Sequence, residues 1–499
     1  MKSDFSKPQR QSLVGVLVMF ADTLQQIIRG SWPFLIVWIF KIDDVNKLYL
    51  ALVTGGIVIL TSIIAYLKYL NFTFFLDEDN EEFVIRSGIL NKSRTAIPLN
   101  KIQQVNINQS LIQKIIGVHS LEVDTAGSSK KEVEIKAIPH TIATILKEKL
   151  LEGGSDASIT GSLTDEQPQH GKPFIHISLL SLFKTGITSN YVRSFALILA
   201  FAITIFQNIE DYFRVTGSEE HILDDVSGDL ILSFISFIII GIMVLTIIVN
   251  LIRTIIKYFN FKITKQQNGL LLSYGLLNTR NAIIKPERVQ MLVVGRNYFQ
   301  KKMDIQDIKV KQASDSNIAD KEARKLAIEI PGCSESEKYT LMQFLLDKIP
   351  QRGEQINPNI RRVAAKVIGS LLIPVSVYFI LAYTVLPKLY EYMYLILPYV
   401  VFTLLIIVFG HRNYKLYVNS EFIIKQSGAW DIDNEFLAPH KIQSIKVTQY
   451  FWHRFSDIGK VTLYTAGGNL SYGVADYSKI KQLVNYWLYQ VETTDKDWM

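Results

Sequence analysis

The sequence predicts a membrane protein of the α+β class. It is expected to have six transmembrane helices in three hairpins, each followed by a cytosolic β-barrel or sandwich that a C-terminal helix caps. Apolar residues make up 48% of the 499 positions, at a mean hydropathy of +0.19, and they are concentrated in long runs. Such runs are rare in a soluble protein of this size. One sequence pattern also returns three times, each time after a pair of apolar runs, and this indicates an internal repeat.

The repeat begins at a glycine and keeps its spacing in all three copies. Gly88, Gly275 and Gly428 are each followed thirteen positions later by a basic residue, an aliphatic residue and a glutamine. Each glycine stands between two runs of alternating apolar and polar residues, where a tight turn requires a positive φ. A second basic residue and a three-residue turn complete each copy. The repeated residues are Lys101-Ile102-Gln103, Lys114 and Thr125-Ala126-Gly127; Arg288-Val289-Gln290, Lys301 and Gln312-Ala313-Ser314; and Lys441-Ile442-Gln443, Arg454 and Thr465-Ala466-Gly467.

The apolar runs indicate where the hairpins lie in the sequence. Gly30–Phe40 covers only about half of a ~30 Å bilayer core, so either the first helix begins near Thr23, with Arg29 extended toward the membrane surface, or the segment is partly interfacial. Tyr49–Leu67 contains no charge and is long enough to cross alone. The other expected spans are Val192–Phe206, Leu230–Ile252, Val367–Leu386 and Tyr392–Phe409. The expected domains are hairpins at residues 1–67, 174–256 and 357–410, modules at 68–151, 257–350 and 411–492, and a flexible linker at 152–173.

Each module ends in a helical pattern. In the third module the apolar residues recur with the period of a helix and give it one apolar face. Trp487 lies on that face and is expected in the core. Trp452 occupies the same repeat position as Ile112 and Phe299, so it is also expected in the core and not in a binding site. The helical residues are Ile480, Leu483, Val484, Trp487, Leu488 and Val491.

Basic residues near the ends of the apolar runs predict the orientation. Eleven lie on the module side and four on the opposite side, and Lys and Arg are in excess on the cytoplasmic side of membrane proteins. Both termini and all three modules are therefore expected in the cytosol. The eleven are Arg10, Lys68, Lys184, Arg193, Arg253, Lys257, Arg361, Arg362, Lys366, Arg412 and Lys415, and the four are Lys41, Lys47, Arg214 and Lys388.

No pattern typical of a catalytic, metal or cofactor site occurs in the sequence. The eight histidines form no HExxH pair, the single cysteine (Cys333) allows no metal cluster, and there is no Gly-x-Ser-x-Gly elbow or Walker loop. We therefore expect no enzyme, no metal and no cofactor. The formal charge of +7 is small for the chain length and does not suggest a nucleic-acid partner.

With its hairpins, strand-rich modules, basic-aliphatic-Gln signature and Thr-Ala-Gly turns, the chain resembles the bacterial pleckstrin-homology-like membrane proteins of the YdbT type (YdbS/YdbT). The resemblance covers nearly the whole chain, although Gln312-Ala313-Ser314 departs from the turn of the other two copies. It implies a pleckstrin-homology-like (PH-like) barrel in each module, a bacterial cytoplasmic membrane, and a smaller single-module YdbS-like relative as a neighbour. It implies no catalytic residue.

The repeated basic positions are the strongest polar signal and the candidate contacts for anionic lipid or a partner protein. The competing interpretation is a structural strand pattern with a solvated basic residue. The candidate contacts are Lys101, Lys114, Arg288, Lys301, Lys441 and Arg454, and the structural signature comprises Gly88, Gln103, Gly275, Gln290, Gly428 and Gln443.

These features favour a polytopic inner-membrane scaffold that assembles with membrane lipids and other membrane proteins, with envelope maintenance or stress resistance as its setting. One alternative is a transporter or exporter component. Coupled transporters usually place charges at the membrane midplane, however, and the interiors of the spans at 49–67, 230–252, 367–386 and 392–409 contain none. The other alternative is an anionic-lipid-binding module, and self-association into an oligomer is left open.

Overall fold

The computed structural model describes residues 5–40, 47–125, 133–152, 173–189, 198–200, 228–266, 269–313 and 327–494. The chain divides into two compact units, residues 1–173 with 272–282 and residues 174–271 with 283–499.

The first unit contains two long helices and the first module. In the described part of this module the strands form two open antiparallel sheets, of order β1-β2-β3-β4 and β5-β6-β7, and no single closed barrel. The helices are α1 (Gly15–Phe40), α2 (Lys47–Leu70), α3 (Leu111–Ile116) and α4 (His140–Glu152). The strands are β1 (Gln9–Arg10), β2 (Thr73–Asp77), β3 (Glu82–Ser87), β4 (Ser93–Pro98), β5 (Ile102–Asn108), β6 (His119–Thr125) and β7 (Val133–Ile138).

The core of the first module lies between the two sheets and α4. Phe83, Leu121, Ile135 and Leu146 are fully buried there, one from each of β3, β6, β7 and α4. Along β2, buried residues alternate with half-buried ones, because successive side chains of a strand point to opposite faces. The apolar face of α4 therefore covers the apolar faces of the strands.

The first helix begins at Gly15 and not near Thr23, so that boundary was wrong. Its first turns pack on the module, where Val18 is buried and Asp22 forms an ion pair with Lys136 of β7. These contacts give the first turns of the helix, including the charged Asp22, a protein environment. The length of the cleanly apolar run was therefore not enough to place the start of this helix.

The second unit contains the third module and the second module, except for residues 272–282, which contribute parts of two strands, Gly269–Tyr274 and Arg280–Ile284, to the first unit. The helices are α5 (Leu179–Thr188), α6 (Gly228–Tyr258), α7 (Tyr298–Lys302), α8 (Glu335–Leu346), α9 (Arg361–Val367), α10 (Ile373–Thr384), α11 (Ile396–Arg412) and α12 (Tyr477–Thr493). The strands are β8 (Ile175–His176), β9 (Lys262–Gln266), β10 (Gly269–Tyr274), β11 (Arg280–Ile284), β12 (Val289–Arg296), β13 (Gln306–Gln312), β14 (Ile328–Cys333), β15 (Glu354–Ile356), β16 (Lys415–Val418), β17 (Ile423–Ser427), β18 (Ile432–Leu437), β19 (Ser444–Thr448), β20 (Ile458–Thr465) and β21 (Gly468–Asp476).

One seven-stranded sheet joins the second and third modules. Its order is β14-β13-β12-β18-β17-β16-β15, so the centre of the sheet is the antiparallel pair of β12 and β18. This pair runs without a register shift from Met291 opposite Leu437 to Arg296 opposite Ile432. The two modules therefore share one continuous backbone ladder. The remaining strands form sheets of order β11-β10-β9-β8 and β19-β20-β21.

The last helix closes the core of the third module. Asp476 caps its N-terminus by accepting a hydrogen bond from the backbone N–H of Lys479 at 3.1 Å. Trp487 is 0% exposed and packs in the same cluster as Leu463 and Ile480. The expectation that Trp487 belongs to the core is confirmed.

Trp452 was expected in the core, and this was wrong. It is 53% exposed, and its repeat counterparts Ile112 and Phe299 are 39% and 45% exposed. In the first two modules these residues lie on short helices whose inward position is filled by a capping glutamine. Gln113 and Gln300 are both buried and accept a hydrogen bond from the N-cap backbone. The apolar residue beside the glutamine therefore faces outward.

Four helices in the described ranges are long and apolar enough to cross a membrane: Leu52–Leu70, Ile239–Tyr258, Arg361–Thr384 and Leu389–Arg412. They correspond to four of the six expected spans. The first apolar run lies in α1, which is not among them, and most of Val192–Phe206 lies outside the described residues. A π-helical turn, Ile368–Leu372, precedes Pro374, where the missing proline N–H interrupts the regular bonding of the helix.

Candidate functional site: a module junction and a basic cavity

The signature basic residue has one structural setting in all three modules. It ends a short 3₁₀ helix that lies just before the next strand, at Leu99–Lys101, Pro286–Arg288 and Pro439–Lys441. Two of these turns start with proline, whose fixed φ and missing N–H suit the first helical position. The repeat therefore encodes a strand-to-strand corner.

The three repeat glycines have the positive φ that the sequence predicts, +107° at Gly88, +113° at Gly275 and +121° at Gly428. Space is also limited at two of them. A Cβ would approach the backbone oxygen of Asn91 to 2.0 Å at Gly88, and that of Asp431 to 1.8 Å at Gly428. Glycine is thus required both by the backbone angle and by close contact.

The candidate basic contacts differ in exposure. Four of the six are exposed, Arg288 is half-buried with a pKa lowered by desolvation, and Lys441 is only 8% exposed. The Nζ of Lys441 donates a hydrogen bond to the backbone oxygen of Glu287 at 2.9 Å. Lys441 is therefore directed to a protein partner within the chain. The four exposed residues are Lys101, Lys114, Lys301 and Arg454.

The signature glutamines also differ between modules. Gln290 is 2% exposed, whereas Gln443 is exposed, and the side chain of Gln103 lies outside the described residues. Gly467 of the third-module turn lies directly against Gln290. A Cβ on Gly467 would lie 2.8 Å from the Gln290 Cβ and 3.3 Å from the backbone oxygen of Gln312. The signature of the second module and the turn of the third therefore meet at the module junction.

Sequence reasoning missed this junction, although β12 carries a signal for it. Residues Val289–Val294 are all buried, and Met291 to Val294 form an uninterrupted apolar run. The corresponding stretch of β5 alternates, with Val105 and Ile107 each followed by asparagine. A continuous apolar run is typical of a strand that is covered on both faces.

A basic cavity of about 750 Å³ lies beside the junction, at the end of α11. Its lining contains four basic side chains and no acidic one, together with three aromatic rings. The basic residues are Arg296, Lys301, Arg352 and Arg412, and the aromatic residues are Tyr298, Phe409 and Trp430. The ring of Trp430 contacts that of Phe299 edge-on, with the ring centroids 5.8 Å apart.

Only Lys301 of these four basic residues was a sequence candidate. Arg296 lies in β12 and Arg412 in α11, whereas Arg352 lies just before β15, and no local pattern links the three. Arg412 was recognised only as a topology signal at the end of a span. Two contacts form the cavity: the pairing of β12 with β18, and the packing of the β17–β18 turn against the end of α11. In the second contact the Asn413 side chain donates a hydrogen bond to the Gly428 backbone oxygen at 3.2 Å.

A smaller polar cavity of about 240 Å³ also has Arg296 in its lining, together with buried carboxylates. Burial raises the pKa of Asp307 and of Asp433. Asp307 accepts hydrogen bonds from the Gly332 N–H at 3.0 Å and from the Gln300 amide at 3.1 Å, which limits that rise. No group of His, Cys, Asp and Glu suited to a metal ion occurs among the residues with described positions.

Comparison with known proteins agrees with the three-module organisation. The model of the bacterial PH domain family matches residues 33–153, 197–345 and 365–491. The chain is also 24% identical, over 340 residues, to the UPF0699 transmembrane protein YdbT of Bacillus subtilis (strain 168). That match covers 65% of this chain and 66% of the relative.

The family model matches each module together with part of the apolar segment before it, and in total it covers well over half of the chain. The architecture agrees, since each module combines antiparallel sheets with a C-terminal helix and follows an apolar helix. This protein is therefore a membrane protein with three PH-like modules and belongs to the bacterial PH domain family.

Proposed function

We propose that the protein is a polytopic scaffold of the bacterial cytoplasmic membrane that assembles with other membrane proteins through the edges of its PH-like sheets. In this proposal three hairpins supply six spans, both termini and the modules lie in the cytosol, and the protein acts by binding and not by catalysis. The excess of Lys and Arg on the module side of the spans supports this orientation.

The observation that carries the proposal is the pairing of β12 with β18. A strand of one PH-like module completes the sheet of another, with six residue pairs in register. Strand addition of this kind supplies affinity through backbone hydrogen bonds and depends little on side-chain identity. It is therefore a mode of assembly that related modules can share.

The same kind of contact occurs within the first unit. Gln109, just after β5, and Thr279, just before β11, exchange two backbone hydrogen bonds of 3.2 and 2.9 Å. By their place in the repeat, β5 corresponds to β12 and β11 corresponds to β18. In both contacts, the β12-type strand of one module meets the β18-type strand of the next module. Such a head-to-tail series of modules leaves one unused strand in its first module and one in its last.

The third module carries one such strand. β19 corresponds to β12 and is the edge of its three-stranded sheet. Its residues alternate, with Ser444 and Lys446 exposed and Ile445 and Val447 half-buried. An exposed edge strand is a template for pairing, and an edge lysine limits non-specific pairing. We assign β19 as the docking edge for the smaller single-module relative.

Photo-crosslinking tests this assignment. A photoreactive residue replaces Lys446 in the full chain, which is co-expressed in its membrane with the tagged single-module relative. We expect an adduct with the summed mass of the two proteins, because paired strands lie within ~5 Å of each other. The matched control places the same residue at Lys460, which is exposed on the neighbouring strand β20 and is not on the edge. Equal adduct yields at both positions, or none at Lys446, would reject β19 as the docking edge.

A further inference from the structure

We propose that the basic cavity binds the phosphate head group of one anionic phospholipid from the leaflet that the modules face. This goes beyond the scaffold function and does not depend on a protein partner. The shared chemistry of possible ligands is a phosphate ester, and the position of the cavity selects the lipid.

The cavity lies where a span ends. Phe409 and Arg412 contribute to its lining from the last turn of α11, and Asn413 from its C-cap. This helix is part of a segment long and apolar enough to cross a membrane. Along the same helix, Phe402 is 65% exposed and Leu405 is 51% exposed. Apolar exposure of this kind faces acyl chains in a membrane. A ligand in the cavity therefore lies at the level of the head groups.

The charge of the cavity suits a phosphate. Arg296 is partly neutralised, since its guanidinium lies 3.2 Å from a carboxylate oxygen of Glu335, and Arg352 contacts the neutral side chain of Gln426 at 3.4 Å. For Lys301 and Arg412, no acidic side chain lies within 4 Å among the described residues. Both therefore keep donors for an anion, and the planar fork of arginine matches two oxygens of one phosphate.

The aromatic rings suit the membrane boundary. Tyr298 and Trp430 are 54% and 49% exposed, although both line the cavity. Tyrosine and tryptophan are enriched at head-group level because each ring combines an apolar body with a polar tip. In this position the exposed part of the Trp430 ring is available to the upper acyl chain.

The first module also has a cavity at the end of an apolar helix, but its lining does not have the same excess of basic residues. A cavity of about 420 Å³ lies between the end of α2 and the turn at Gly88, with two lysines and two acidic residues in its lining. One of these lysines, Lys136, forms an ion pair with Asp22. This cavity is therefore close to neutral, and we assign the lipid site to the second unit alone.

Native mass spectrometry of the full chain released from nanodiscs tests the proposal. The nanodiscs contain equal amounts of phosphatidylglycerol and phosphatidylcholine, and the ratio of retained adducts is measured. We expect retention of one phosphatidylglycerol in preference to phosphatidylcholine. The double variant Lys301→Gln/Arg412→Gln should lower that preference about tenfold or more, because each basic residue near an anionic surface contributes about fivefold. Arg412→Lys should retain part of that preference, because lysine keeps the charge but loses the fork that matches two phosphate oxygens.

The matched control, Lys460→Gln/Lys479→Gln, also removes two exposed positive charges from the unit, outside the cavity. Its adduct ratio should equal that of the wild type. An equal loss of the phosphatidylglycerol preference in both double variants would show that general surface charge causes the effect, and it would overturn the proposal. An unchanged ratio in Lys301→Gln/Arg412→Gln would also overturn it. Displacement of the lipid by millimolar inorganic phosphate or by an acidic peptide would assign the cavity to a soluble ligand instead.

Discussion

Valine in place of Gly428 is expected to unfold the third module while the protein remains in the membrane. The backbone at this position has φ of +121°, and the new Cβ would lie 1.8 Å from the backbone oxygen of Asp431. Strain at such a φ and overpacking together cost about 2–6 kcal/mol, a large part of the ~5–15 kcal/mol that stabilises a typical domain. Limited proteolysis of the full chain, followed through a C-terminal tag, measures the loss of protection.

The chain offers a control that separates the two causes. Gly468 has φ of +115°, but a Cβ there would meet nothing within 4 Å. Gly468→Val therefore carries the same backbone strain without the steric contact, and it should lose less protection than Gly428→Val. If proteolysis cleaves the two variants equally, steric contact in the tight turn after β17 is not the reason that position 428 requires glycine.

Alanine in place of Gly467 is expected to loosen the junction between the second and third modules without unfolding either module. This glycine does not have a positive φ, so alanine introduces no backbone strain. Its Cβ would lie 2.8 Å from the Cβ of Gln290 in the facing module. Overpacking of this size costs about 1–3 kcal/mol. Hydrogen exchange of β12 and β18 in the full chain should therefore increase.

Gly473→Ala is the matched control, because its Cβ would meet only the Lys460 side chain at 3.4 Å, an ordinary contact distance. Exchange of β12 and β18 should stay at the wild-type level in this variant. Faster exchange in Gly473→Ala, or unchanged exchange in Gly467→Ala, would contradict the assigned junction.

The local part of the fold could be predicted from the sequence because its causes are local. A glycine between two alternating runs indicates a turn with positive φ, and the structure has this at Gly88, Gly275 and Gly428. Likewise the helical period that includes Trp487 is enough to place that residue in the core. In both cases the residue and its physical constraint belong to the same module.

Contacts between modules could not be predicted from a pattern that all modules share. Lys441 and Lys101 occupy the same repeat position, yet only Lys441 is buried, because the carbonyl that it binds belongs to another module. Trp452 was placed in the core because its repeat position is apolar, but in the two equivalent helices the inward position belongs to a glutamine. The basic cavity combines residues from five separate helices and strands and from the segments between them, and no sequence spacing connects them.

The measurement that tests the account most directly is a disulfide cross-link between Val294→Cys and Asn434→Cys, which lie opposite each other in β12 and β18. Paired residues of antiparallel strands have Cα atoms about 4.5–5.5 Å apart, within the range of a disulfide. Mild oxidation of the full chain in its membrane should link the two peptides, as detected by mass spectrometry after non-reducing digestion. Val294→Cys with Phe436→Cys, displaced by two residues along the strand, should link far less. Equal linking of both pairs, or no link between positions 294 and 434, would contradict the shared sheet.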